Sequence, residues 1–222
     1  IPIIYELLRF GFEVQIAAEG KTKKLLENEF PGLLFLPLKG YEVRYSKNKS
    51  LLFFSLFIQL PKLLWRIYYE HKWLKKIVKE NDISMVISDN RLGVYNSTIP
   101  CVYITHQLNV LSGNTSFLSS KIHQKIIQRF NQCWVPDIDD HINLSGKLSR
   151  LTYSNLTIKY IGFLSRLEKE NLPIKFPLMI ILSGPEPQRS ILEKKLVLEV
   201  SKYKKPVLFV KGIVEKEQIV KQ

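Results

Sequence analysis

The chain has 222 residues, of which 45% are hydrophobic and 24% charged, and this composition excludes a disordered or fibrous protein and favours a globular one. Its formal net charge is +13. Residues 39–79 hold 10 basic and 2 acidic side chains, a balance of +8, so the excess charge is concentrated in one segment. Such a local patch predicts a local anionic partner. Cys101 and Cys133 match no zinc-binding spacing, so we expect buried, reduced thiols.

Segments typical of strands and helices alternate along the chain, which predicts an α/β fold with a parallel sheet. In chain order we predict helix 2–10, strand 13–18, helix 21–29, strand 33–37, a long helix near 51–80, strand 84–88, strand 101–105, helix 116–131, strand 133–136, strand 157–161, strand 177–182, helix 187–202 and strand 206–211. The N-terminal segment is not a secretory signal, so the predicted compartment is the cytoplasm.

Two Rossmann-like domains are predicted from this order of elements. The N-terminal domain covers 1–164, a linker covers 165–176, and a second domain begins at 177 and runs to 222. Because the chain opens with a helix and closes within a charged stretch, we expect the first strand and loop of the N-terminal domain and most of the second domain to lie outside it.

The long helix has two distinct predicted sides. One carries Leu60, Leu63, Leu64, Ile67, His71, Leu74 and Val78 at helical spacing. The other carries Lys62, Arg66, Lys76 and Lys79 beside a row of Trp65, Tyr69 and Trp73. Together with the apolar run 51–58, this pattern is typical either of a helix that lies on an anionic membrane surface or of a core helix with a solvated basic side.

Polar residues follow two of the predicted strands, where open α/β sheets place their ligands. Strand 101–105 leads into His106, Gln107 and Asn109. A histidine there is able to accept a proton near neutral pH, or to contact substrate, or to hold neighbouring loops by hydrogen bonds. Asn109 is a candidate for binding hydroxyl groups.

Strand 84–88 ends at the triplet formed by Asp89, Asn90 and Arg91. A carboxylate, an amide and a guanidinium together are able to bind sugar hydroxyls or an anion, but an Asp-Asn pair is equally typical of a turn. Arg44, in a loop of the basic segment, is a weaker candidate for an anionic acceptor.

A third polar turn follows strand 177–182 and precedes a helix. Ser183, Gly184 and Pro185 form the turn, and Arg189 follows within the first helical turn. Backbone N–H groups and the positive end of a helix bind anions, so this segment is the candidate for a phosphate site, although it is also compatible with an ordinary connection.

Several of these segments resemble those of a known enzyme family. Residues 102–113 are similar to the acceptor-side strand and loop of the UDP-N-acetylglucosamine transferases (glycosyltransferase family 28) that complete the lipid-linked peptidoglycan precursor. That family has the sequence His-Glu-Gln-Asn at this place, and residues 106–109 of this chain are His-Gln-Leu-Asn. The first and last residues match, whereas Gln107 and Leu108 replace the Glu and the Gln of the family. The chain is also similar to uncharacterised bacterial GT-B glycosyltransferase-like proteins, in segments 88–93, 104–108, 133–137, 143–146 and 182–189.

The resemblance implies a GT-B fold and transfer of a sugar from a nucleotide-sugar, without a metal cofactor, to a lipid-linked or polysaccharide acceptor at the cytoplasmic membrane face. It implies His106 as catalytic base, Gln107 and Asn109 as candidates for substrate binding, and Ser183, Gly184, Pro185 and Arg189 as candidates for binding the donor phosphates. Further candidates for substrate binding, by residue type and position, are Asp89, Asn90, Arg91 and Arg44. Because donor-binding segments are expected outside residues 1–222, we expect these residues alone to be inactive.

Two other functions stay open at this point. One is a nucleotide-sugar epimerase of the same architecture. The other is a non-catalytic protein that docks anionic membrane or nucleic acid through residues 39–79, although nucleic acid is not expected because the aromatic residues follow helical spacing. Asp137, Asp139 and Asp140 form an Asp-x-Asp-like sequence that binds a divalent metal in other glycosyltransferases. A turn or helix cap is the favoured interpretation.

Overall fold

The computed structural model describes residues 1–41, 49–110, 116–140, 142–151 and 155–213, and for residues 49–58 and 60 it describes the backbone only. The elements in chain order are α1 (Pro2–Arg9), β1 (Gln15–Ala17), α2 (Gly20–Glu29), β2 (Leu34–Leu36), α3 (Lys49–Glu80), β3 (Val86–Asp89), β4 (Cys101–Ile104), α4 (Ser116–Ile127), β5 (Gln132–Val135), a 3-10 turn (Gly146–Leu148), β6 (Ile158–Tyr160), β7 (Leu178–Ile181), α5 (Gln188–Val200) and β8 (Val207–Val210).

All the strand pairs in the described ranges are parallel, which confirms the predicted α/β class. β3, β4, β5 and β6 form a four-stranded sheet in sequence order, β1 pairs with β2, and β7 pairs with β8. In the four-stranded sheet Asp89 is the register partner of Ile104, so β3 and β4 end side by side. This alignment brings together the residues that follow the two strands.

The middle of the four-stranded sheet is its most buried part. β4 is buried along its whole length, and Tyr103 on it packs against Phe130, which in turn contacts Tyr95. Cys101 and Cys133 are both buried free thiols, as predicted, and burial raises the pKa of Cys133 to about 12. A thiol with that pKa is inert as a nucleophile at neutral pH.

Helix α3 packs one side against the protein and exposes the other. Ile67 and Leu74 are buried, whereas Leu64, which lies on the same predicted apolar side, is 61% exposed. Its place is taken by Glu70, which lies three residues after Ile67 and four before Leu74 and is 2% exposed. The packed side is therefore narrower than predicted and carries a carboxylate.

The chain divides into two compact units. One consists of residues 1–10 and 61–166, and the other of residues 11–60 and 167–222. The predicted domain bounds of 1–164, 165–176 and 177–222 stay a prediction. Within the described ranges, no helix combines the length and apolar character needed to cross a bilayer.

Candidate functional site

The carboxyl ends of β3 and β4 place two ionisable side chains at one edge of the four-stranded sheet. β4 and the following Thr105 are buried, and the chain reaches solvent at His106 and Gln107. The Thr105 hydroxyl accepts the Gln107 N–H at 3.0 Å, which fixes the turn out of the strand. Asp89, the last residue of β3, is exposed at the same edge.

Asp89 and His106 interact electrostatically. Desolvation by the surrounding protein raises the pKa of the Asp89 carboxyl, and the charges of the Ile1 amino group and, to a smaller extent, of His106 act to lower it. A carboxyl group beside an imidazole at an open strand end is an arrangement suited to acid–base chemistry. The structure thus brings together two residues that the sequence assigned to separate motifs.

The two residues after Asp89 form a turn. Asn90 has a φ of +54°, a left-handed conformation that asparagine tolerates, and its N–H donates to the Ile104 carbonyl at 3.1 Å. The Ser88 hydroxyl donates to the Arg91 carbonyl at 2.7 Å. These contacts correspond to the turn interpretation of the triplet and favour a structural role for Asn90.

Arg91 pairs with a carboxylate that sequence analysis did not single out. Its guanidinium contacts the Oε1 atom of Glu70, and the other oxygen of Glu70 accepts the Gly93 N–H at 3.1 Å. This pairing favours a structural role for Arg91, which ties the loop after β3 to α3, over substrate binding. Glu70 lies three residues after Ile67 and four before Leu74. This helical spacing places it on the same side of α3 as these two residues and could have identified it from the sequence.

Asn109 fastens the loop after β4 to a distant segment. Its side-chain nitrogen donates to the carbonyls of Lys147 and Arg150 at 2.8 and 2.6 Å, and its own N–H donates to the Leu148 carbonyl. Both amide hydrogens are therefore occupied, which favours a structural role over binding of substrate hydroxyls. Gln107 keeps an exposed side chain, and its carbonyl accepts a hydrogen bond from Nε2 of His123 at 2.9 Å.

Asp137 organises the loop that follows β5. Its carboxylate accepts the N–H groups of Ile138, Leu144 and Ser145 at 2.9, 3.2 and 2.8 Å. Burial acts to raise the pKa of Asp137, but the hydrogen bonds from Ser145, Ile138 and Leu144 outweigh burial and hold the pKa at about 2. The Asp-x-Asp sequence thus forms a capped loop, as favoured from the sequence, and no group of three potential metal ligands occurs among the described residues.

We expect Asp137→Asn to lower the melting temperature by roughly 5 °C at pH 7. The new amide NH2 group is a donor, and it would face a backbone N–H group that now donates a hydrogen bond to the carboxylate. The folded pKa of about 2 lies below the unfolded value of about 3.9. The contribution of the carboxylate is therefore complete above about pH 4 and is lost as the pH falls towards 2.

The measurement for Asp137 is the melting temperature of the variant and of the wild type between pH 7 and pH 2. Their difference should shrink below pH 4. Asp139→Asn serves as the matched control, because Asp139 is 69% exposed and lies 3.9 Å from Arg150, and it should change the melting temperature by no more than about 2 °C. A difference for Asp137→Asn that is the same at every pH would contradict the assignment.

The turn after β7 belongs to the other unit and is partly open. Leu182 is buried, Ser183 is exposed, and Gly184 has a φ of +117° with open space where a side chain would stand. Gly212 faces the same turn, because a Cβ on it would lie 2.1 Å from the Leu182 carbonyl oxygen. Ser183 and Gly184 therefore present a hydroxyl and an unobstructed backbone to solvent.

The start of α5 differs from the predicted phosphate site in one respect. The helix begins at Gln188, five residues after Ser183, and the Glu186 carboxylate accepts the Ser190 N–H at 3.3 Å. Arg189 is 7% exposed and contacts the carboxylates of Glu186 and Glu193, each at 2.7 Å. A carboxylate thus already stands at the helix N-terminus, which favours a structural role for Arg189 over donor binding.

The predicted site residues fall into two groups within the described ranges. Asp89, His106 and Gln107 share one edge of the four-stranded sheet, and the turn of residues 183–185 with Arg189 lies in the second unit. Arg44 lies outside the described residues.

No protein-family model, curated protein or solved structure matches the chain. The resemblance to glycosyltransferases therefore depends on short sequence segments. A function must be inferred from the chemistry of the residues at the edge of the four-stranded sheet and in the turn after β7.

Proposed function

We propose that the protein is a GT-B glycosyltransferase that moves a sugar from a nucleotide-sugar to a lipid-linked or polysaccharide acceptor, in the cytoplasm or on the inner face of the plasma membrane. The observation that carries the proposal is the placement of Asp89 and His106, which interact electrostatically, at one carboxyl edge of a parallel sheet. Asn90, Arg91 and Asn109 at that edge are engaged in internal contacts, so Asp89, His106 and Gln107 are the groups that face a ligand.

Each of these groups has a role in the proposed transfer. The acceptor hydroxyl must lose a proton as its oxygen attacks the sugar, and the exposed His106 imidazole takes that proton. The Asp89 carboxylate stabilises the imidazolium that results. Gln107 donates or accepts a hydrogen bond from a neighbouring hydroxyl of the acceptor.

The donor side of the proposal is carried by Ser183 and Gly184. The transfer releases a nucleoside diphosphate, whose negative charge needs hydrogen-bond donors. The Ser183 hydroxyl is exposed, and the backbone at Gly184 is open to close approach. Arg189 has no part in this version of the proposal, because two carboxylates occupy its guanidinium.

The experiment is a thermal-shift screen of the full-length protein against UDP, GDP, TDP and ADP and sugar derivatives of each. Binding of the donor is the readout, because the melting temperature reports binding to the folded protein. Ser183→Ala should weaken the binding of the active ligand about tenfold, since it removes one hydrogen bond to a charged group. Ser201→Ala, the matched control at another exposed serine of the same unit, should leave binding unchanged. His106→Asn should also retain donor binding, because the base acts on the acceptor.

A further inference from the structure

The exposed side of α3 carries a cluster of aromatic and basic side chains. Trp65, Tyr68 and Tyr69 are 58%, 55% and 45% exposed. Exposed lysines lie on the same side of the helix, both before and after these rings. Their spacing follows the 3.6-residue period of the helix. We call this surface the aromatic–lysine face, and it consists of Lys62, Trp65, Tyr68, Tyr69, Lys72, Lys76 and Lys79.

The aromatic rings of this face are ordered by one another and by cations. Trp65 and Tyr69 stack with centroids 5.7 Å apart, and Lys72 Nζ lies 4.8 Å from the centroid of the Tyr68 ring. The Arg66 guanidinium lies 5.7 Å from the Trp65 ring centroid. Large rings that lie on the surface between cations are uncommon in a merely solvated helix, and they are typical of interaction sites.

The charge on the face has one sign. Among the described side chains of α3 the acidic residues are Glu70, which is buried on the opposite side, and Glu80, which lies 3.7 Å from Lys76. The partner that complements this face is therefore anionic and also has an apolar layer for the rings. An anionic lipid bilayer offers both, because lysines reach headgroup phosphates while tryptophan and tyrosine rings settle at the boundary with the acyl chains.

We propose that the aromatic–lysine face of α3 docks the protein on the surface of anionic lipid membranes. Docking needs no rearrangement, because Ile67, Glu70 and Leu74 hold the helix to the protein on its other side while the exposed side meets the bilayer. Single-stranded nucleic acid is the less favoured partner. Trp65 and Tyr69 are stacked on each other, so a base could not enter between them without separating the pair.

The test is co-sedimentation of the chain with vesicles of phosphatidylcholine alone and with vesicles containing 30% phosphatidylglycerol, a proportion of about one third chosen to resemble an anionic leaflet. The wild type should bind the anionic vesicles and lose binding as salt is raised. The triple variant Lys62→Glu, Lys72→Glu and Lys76→Glu should bind about 100-fold more weakly, since each lysine near the surface contributes several-fold to partitioning. Trp65→Ala with Tyr69→Ala should weaken binding about tenfold.

The matched control is Lys194→Glu, Lys195→Glu and Lys204→Glu, three exposed lysines of the second unit, which changes the total charge by the same amount. If this control weakens vesicle binding as much as the α3 variant, general charge and not the face is responsible, and the proposal is overturned. Equal binding of wild type and α3 variant, or binding of single-stranded nucleic acid with none to vesicles, also overturns it. The assay does not depend on sugar transfer, so its outcome is independent of the proposed enzymatic function.

Discussion

Replacing Gly93 with alanine is expected to lower the free energy of unfolding by about 3 kcal/mol, at the upper end of the usual cost of overpacking. A Cβ at this position would lie 2.3 Å from the backbone carbonyl oxygen of Ile67 and 2.7 Å from two side-chain atoms of Glu70. The carbonyl belongs to α3 and cannot move without disturbing the helix. Relief would push the loop after β3 away from α3 and break the hydrogen bond from the Gly93 N–H to Glu70.

The measurement for Gly93 is urea unfolding followed by tryptophan fluorescence. Gly32→Ala is the matched control, because a Cβ on Gly32 meets nothing within 4 Å, and it should change the free energy of unfolding by no more than about 0.5 kcal/mol. If Gly93→Ala is as stable as Gly32→Ala, the close packing of this loop on α3 is incorrect.

Glu70→Ala is expected to cost about 3 kcal/mol, the usual loss when one partner of a buried charge pair is removed. The substitution removes the acceptor of the Gly93 N–H and leaves the Arg91 guanidinium, 22% exposed, without the carboxylate that it contacts. Glu80→Ala is the control on the same helix. Glu80 is 54% exposed in its pair with Lys76, so its loss should cost under about 0.5 kcal/mol.

A double-mutant cycle separates the ion pair from the rest of the effect of Glu70. Arg91→Ala alone leaves a buried carboxylate, and the double variant with Glu70→Ala leaves neither charge. We expect the double variant to lose at least about 1 kcal/mol less than the sum of the two single variants. Additive losses would mean that the two side chains do not stabilise each other.

Most of the elements were predictable from the sequence because apolar runs and turn residues mark them clearly. Every predicted helix and strand from α1 to β8 is present, and the largest error in an end is in α4, which was predicted to reach residue 131 and ends at Ile127. After Ile127 the backbone N–H groups of Arg129 and Phe130 donate to carbonyls three residues earlier, a tighter pattern than that of an α-helix. Asn131 instead accepts the Cys101 N–H at 2.7 Å, a distant contact that no local pattern reveals.

The roles of the polar residues were less predictable, because they depend on partners far away in sequence. Asp89 and His106 are predicted as candidates by their position after apolar strands, and the register of β3 and β4 aligns the ends of these two strands. Asn109 was predicted to bind hydroxyls, but carbonyls some 40 residues later occupy its amide. The contacts of Glu70 are not predictable because it lies among apolar residues of the helix. Its partners, Arg91 and Gly93, belong to the loop after β3, far away in sequence.

The proposed sugar transfer is tested by the melting temperature of the full-length protein with and without nucleotide-sugars. Ligand at about 100 times its dissociation constant adds roughly 2.7 kcal/mol to the free energy of unfolding, so we expect the melting temperature to rise by about 5 °C or more with at least one of the four nucleotide classes. The rise should fall in Ser183→Ala and persist in His106→Asn. A melting temperature that no nucleotide or nucleotide-sugar changes would contradict the proposal that the protein is a glycosyltransferase.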